Sequence, residues 1–108
     1  MHDTFQELYN TVISRKNAKE EGSYTCYLFD KGLDKILKKV GEECSETIIA
    51  AKNGIKEDTI NEISDLFYHL MVMMVNEGIS LDDVKAELDK RSQKTGNLKK
   101  FHQVDHNT

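Results

Sequence analysis

Apolar residues recur along this chain three or four positions apart, the spacing of helices that each bury one face. Phe5, Leu8, Tyr9, Val12 and Ile13 predict a first helix from Thr4 to about Lys16, with Thr4 and Glu7 as a capping box. Residues 17–23 are polar and aperiodic and predict a loop; residues 25–30 predict a single turn or a short helix. A long helix follows from about Lys31 to Asn53 on the stripe Leu33, Ile36, Leu37, Val40, Cys44, Thr47, Ile48 and Ala51, and Asn53-Gly54 supplies a left-handed stop. The next runs from about Glu57 to Glu77, with Ile60, Ile63, Leu66, Phe67, Leu70 and Met74 on one face, and ends at Gly78. Ser80 with Asp83 opens a last helix carrying Leu81, Val84 and Leu88, which Gly96 ends. No strand pattern is present. The expectation is an all-α fold of four to five helices, with one domain over residues 1–96 and a polar tail over 97–108. The short turn between the two long helices makes them an antiparallel hairpin.

Composition changes this picture in one respect. Hydrophobic residues make up 38% and charged residues 31% of the 108, and mean hydropathy is −0.60. That is thin for a compact monomer, so the helices are expected to complete their core against a second subunit. The run Met71-Val72-Met73-Met74-Val75, apolar on every side, is expected to be buried or subunit-facing. No apolar stretch nears the ~20 residues that cross a bilayer, and the start lacks the pattern of a signal peptide. A cytoplasmic protein without a membrane partner is expected. The formal charge of −4 argues against a nucleic-acid partner, because such binding rests on neutralising phosphates. Cys26 and Cys44 lack metal-ligand spacing and read as reduced thiols, with Cys44 in a packing role.

The candidate chemistry lies beside the stripes. The first long helix carries Glu42-Glu43-x-x-Glu46 and the second carries Glu62-x-x-Asp65. Positions three apart share a helix face, so each pair projects together, and an antiparallel hairpin sets the pairs opposite each other. Converging carboxylates repel, and a hard divalent cation relieves the repulsion. An all-oxygen set suits Mg²⁺, with Mn²⁺ as the alternative. A di-iron centre would want Glu-x-x-His pairs, which are absent. The ordinary alternative is a solvated helix face laced with Lys–Glu pairs such as Lys38–Glu42 and Lys39–Glu43. His69 follows Asp65 by four residues, either as a neighbour of the ligands or substrate, or as a histidine hydrogen-bonded between helices.

Further residues carry a resemblance. Arg15-Lys16, Ser23-Tyr24-Thr25, Leu28-Phe29, the run Gly32 to Glu43 (Gly-Leu-Asp-Lys-Ile-Leu-Lys-Lys-Val-Gly-Glu-Glu) and the run Glu62 to Leu70 resemble phosphoribosyl-ATP pyrophosphohydrolase of histidine biosynthesis. The glutamates alone mark only the wider MazG-like, all-α pyrophosphohydrolase superfamily. The Ser-Tyr-Thr and lysine-rich segments are more specific. Cys44 stands where the family pattern has a small apolar residue. The resemblance implies an intertwined homodimer, with a tetramer as the alternative. It implies Mg²⁺-dependent hydrolysis of phosphoribosyl-ATP to phosphoribosyl-AMP and pyrophosphate. The next step would fall to a separate phosphoribosyl-AMP cyclohydrolase.

On that basis Glu43, Glu46, Glu62 and Asp65 are the expected metal ligands, and Glu42, Glu43 and Glu46 the expected catalytic set. Glu42 could hold a second metal, orient the water as base, or meet the partner subunit. Arg15, Lys16, Lys35 and Lys39 are expected to meet phosphates, with Ser23, Tyr24, Thr25 and His69 also at the substrate. Two rivals stand beside this reading. One is a house-cleaning (d)NTP pyrophosphatase of the same superfamily; the other is a helical dimerisation module with no chemistry.

Overall fold

Five α-helices account for most of residues 2–93, the part of the chain that the computed structural model describes. They are α1 (Thr4–Asn17), α2 (Tyr24–Lys31), α3 (Leu33–Asn53), α4 (Lys56–Glu77) and α5 (Leu81–Ser92). Among the described residues there is no strand, as the pattern predicts. The expected stop at Gly96 and the tail lie outside the described residues.

Two boundaries differ from expectation. The cap of α1 is Asp3, one residue before Thr4: its carboxylate accepts the Gln6 N–H at 3.2 Å, which makes Thr4 the first helical residue. Of the two forms expected for the segment after the loop, the short helix is observed, because Ser23 caps it by accepting the Cys26 N–H at 3.1 Å. It ends at Gly32, whose φ of 92° and ψ of −174° suit glycine alone. The apolar rhythm continues across this break and hides it, so the helix expected from Lys31 begins at Leu33. The remaining punctuation is as read: Gly54 and Gly78 close α3 and α4 in the left-handed conformation. Ser80 and Asp83 form a reciprocal capping box.

The core of the single chain is small. Tyr9, Val12, Leu28, Ile36, Met71, Val72 and Val75 form one buried cluster drawn from α1, α2, α3 and the C-terminal half of α4. The Tyr9 hydroxyl donates to the Ile79 carbonyl at 2.7 Å and ties α1 to the turn before α5. The expected stripes are covered only in part. On α3, Ile36 is buried, but Leu37 and Cys44 are exposed and Ile48 keeps 64% of its surface. On α4, Ile60, Ile63 and Phe67 are exposed, as are Val84 and Leu88 on α5. The Met71–Val75 run is buried as expected at Met71, Val72 and Val75. The two long helices pair as a hairpin, and mid-length Thr47 bridges them: its hydroxyl lies 2.7 Å from the Glu43 carbonyl and 3.3 Å from that of Glu62.

Candidate functional site

The hairpin brings acidic side chains together at the level of Thr47. Carboxylate oxygens of Glu43, Glu62 and Asp65 lie within 4.8 Å of one another. Glu43 is almost fully buried, and its Oε2 has no hydrogen-bond partner. A buried anion that lacks a partner is costly. Glu43 responds by holding its proton: burial first, then Glu46, Asp65 and Glu62, push its pKa from 4.5 to about 7. Three oxygen donors, two half-buried and one orphaned, fit a hard divalent cation in ligand type and charge.

The other expected acids fall outside this triple. Glu46 stands one turn on, exposed, beside Glu43, whose pKa it helps to raise. Glu42 faces solvent and pairs with Lys39 at 3.2 Å, which holds its carboxyl below the ordinary range. The Lys–Glu pair observed is therefore three residues apart rather than the expected four, and it leaves Glu43 free to turn inward.

His69 is buried and joins two elements. Its Nδ1 lies 2.8 Å from the Asp65 carbonyl, an atom that can only accept, so Nδ1 carries a proton, and in the neutral ring Nε2 is the acceptor. The Tyr24 hydroxyl, 3.0 Å from Nε2, is then the donor. Burial raises the Tyr24 pKa and Lys39 opposes it, so the phenol is protonated at neutral pH. Of the two roles weighed for His69, the hydrogen-bonded one between helices is therefore observed, one turn from Asp65. Tyr24 also packs against Tyr27 and Tyr68, and Thr25 bonds the Tyr68 hydroxyl. Ser23 is occupied as the α2 cap.

The expected cations divide. Lys39 lies by Glu42 and acts on both Tyr24 and Glu43. Lys35 rests over the Tyr27 ring, 5.9 Å from its centre. Arg15 pairs with Glu20 at 3.0 Å. Lys16 reaches the Val75 carbonyl at 3.5 Å. Val75 is ten residues beyond Asp65, roughly 15 Å along the helix axis. The structure thus does not bring Lys16 to the acidic cluster, because its ammonium lies over the Phe29 ring, 5.9 Å from its centre, near the far end of α4.

Three contributors were not singled out from sequence. Thr47 has the spacing, four residues after Glu43, but its place in the apolar stripe hides it. Tyr68 and Tyr27 had no signal beyond aromaticity. A cavity of about 770 Å³ opens over the N-terminus of α2, with Tyr24 and Tyr27 in its wall. A smaller groove of about 230 Å³ runs past Glu46, Asn53, Asp58 and Glu62 at the turn end of the hairpin.

The chain is similar to known proteins over most of its length. The sequence profile of phosphoribosyl-ATP pyrophosphohydrolase matches residues 5–92. A phosphoribosyl-ATP pyrophosphatase of Clostridium novyi (strain NT) is 55% identical over 97 residues, covering 90% of this chain and 88% of the relative. One from Streptococcus sanguinis (strain SK36) is 50% identical over 101 residues, covering 94% and 97%. The histidine biosynthesis bifunctional protein HisIE of Lactococcus lactis is 52% identical over 100 residues, which span 93% of this chain and 47% of that protein.

Proposed function

The chain belongs to the phosphoribosyl-ATP pyrophosphohydrolase family and is a hydrolase, and we propose that it splits phosphoribosyl-ATP into phosphoribosyl-AMP and pyrophosphate. The observation that carries the reading is the convergence of Glu43, Glu62 and Asp65 within 4.8 Å around an unpartnered buried oxygen. An adaptor module would have no use for a buried, proton-holding glutamate. The family membership favours phosphoribosyl-ATP over ordinary (d)NTPs as substrate.

Glu43, Glu62 and Asp65 would hold Mg²⁺, or Mn²⁺ in its place, with Glu46 beside them. When bound, the cation would offset charge on the phosphates and polarise the anhydride under attack. Lys39, next to Glu42 and Tyr24, is suited to a phosphate oxygen at the rim. Glu46 is the better proton acceptor for the attacking water: it stands one turn from Glu43 on the same helix face, while Glu42 is tied to Lys39. Thr47 keeps the two ligand-bearing helices in register through their carbonyls.

The exposed apolar side chains of α3 and α4, among them Ile48, Ile60, Ile63 and Phe67, support a homodimer that covers them. The bifunctional relative fits a cyclohydrolase step that follows on the product.

Pyrophosphate release from phosphoribosyl-ATP with Mg²⁺ tests the reading. The unaltered chain should be active, and Glu43→Gln or Asp65→Asn should lower kcat/KM by roughly 100-fold or more. Normal turnover by either variant would remove the ligand assignment. Preference for ordinary dNTPs in the same assay would favour the house-cleaning alternative.

A further inference from the structure

The cavity over the N-terminus of α2 shares one wall with the acidic cluster. That wall is Tyr24: its ring lines the cavity, while its hydroxyl points away to His69 and the Asp65 turn. The Tyr24 and Tyr27 rings lie 6.0 Å apart and 24° from parallel, so they offer π faces side by side. At about 770 Å³ the cavity has the size of small-molecule sites. Its lining carries three carboxylates, Glu20, Glu21 and Asp30, against one ammonium, Lys19. Lys19 is itself paired with Asp30 at 3.2 Å. Glu20 is likewise paired with Arg15 at 3.0 Å, so the neighbouring cations are matched to carboxylates and the lining keeps a negative excess, which disfavours phosphate and suits an uncharged planar group.

Resting on the function proposed above, we infer that this cavity receives the purine nucleoside part of the substrate, with Tyr24, held by His69, as the wall between it and the carboxylates that take the triphosphate. The acidic lining then sets the direction of binding, with rings in the cavity and polyphosphate past Tyr24 on the side of Glu43 and Lys39. The ribosyl phosphate has cations within reach at the outer edge, where Lys31 and Lys35 lie 5.8 and 5.9 Å from the Tyr27 ring centre. His69 is a positioning residue in this scheme. It contacts no reacting atom and acts by orienting Tyr24.

Adenosine, which carries no phosphate, and inorganic tripolyphosphate with Mg²⁺ are the two probes. Adenosine should bind the unaltered chain in equilibrium dialysis and compete with phosphoribosyl-ATP. Tyr27→Leu, at an exposed position, should weaken adenosine binding and raise KM, each about tenfold, while inhibition by tripolyphosphate shifts by less than about twofold. His69→Asn retains a donor for the Asp65 carbonyl but leaves Tyr24 without its acceptor, and should reproduce the rise in KM. His69→Gln, whose amide oxygen reaches the Nε2 position, should restore KM. Adenosine that does not bind, or binds equally well to Tyr27→Leu, overturns the assignment. Equal KM values for the Asn and Gln variants overturn the role of His69. If the unaltered chain releases no pyrophosphate, the functional reading falls, and dialysis still decides whether the cavity is a nucleoside site.

Discussion

Glu43 shows how one side chain couples stability, metal binding and pH. Its folded pKa of about 7 stands above the ordinary 4.5. Between those values the folded chain holds a proton that the unfolded chain releases, so this group's contribution to stability falls as pH rises through that window. Above about pH 7 the charge is present and the penalty is complete. Glu43→Gln should therefore stabilise the metal-free protein at pH 8, on the order of 1 kcal/mol. At pH 4 it should change little. Thermal melts of both proteins at the two pH values check the sign; a destabilised variant at pH 8 would mean that the carboxylate is already satisfied. The same proton must leave when a cation binds. Mg²⁺ affinity should rise by up to about tenfold per pH unit below 7 and level off above it. Titration calorimetry in buffers of different ionisation enthalpy would count the protons released.

Gly32 is the sharpest test of local structure among the elements. Its φ of 92° separates α2 from α3 and lets Tyr24 on one approach His69 beside the other. Open space surrounds the position where a Cβ would stand, so Gly32→Ala is strained by backbone alone. It should cost about 1–3 kcal/mol, which is a drop in Tm of several degrees for a chain of this size. An unchanged Tm would show that the helices can join or bend without this conformation. The elements themselves were largely legible from periodicity and punctuation, because Gly54, Gly78 and the Ser80–Asp83 box act through local chemistry. The break at Gly32 was not, since Leu28, Leu33, Ile36 and Leu37 continue an apolar rhythm through it. The acidic pairs were legible as well, because helical spacing fixes which carboxylates share a face. What spacing could not show is depth: Glu43 is buried and Glu46 and Glu42 are not, a difference that depends on how α4 leans on α3.

Across the whole molecule, the apolar stripes outnumber the places to hide them. The single chain buries a cluster at the α1–α2 end, while Ile48, Ile49, Ile60, Ile63 and Phe67 stay exposed. Apolar exposure of this extent on one hairpin supports the proposed homodimer. Light scattering during gel filtration should give a mass twice that of the chain, and Ile63→Asp should lower it to that of one chain. A monomeric unaltered protein would contradict the dimer. The stripes have the expected period, and their exposure supports the second subunit expected to cover them; period alone does not tell a core face from an interface face.

The claim that the rest depends on is that Glu43, Glu62 and Asp65 jointly hold a divalent cation. Titration of Mn²⁺ into metal-free protein at pH 8, followed by the loss of its free-ion electron paramagnetic resonance signal, tests it most directly. The account predicts saturable binding that Asp65→Asn weakens at least about tenfold with unchanged helical circular dichroism. Equal Mn²⁺ binding by the unaltered protein and the Asp65→Asn variant would contradict it.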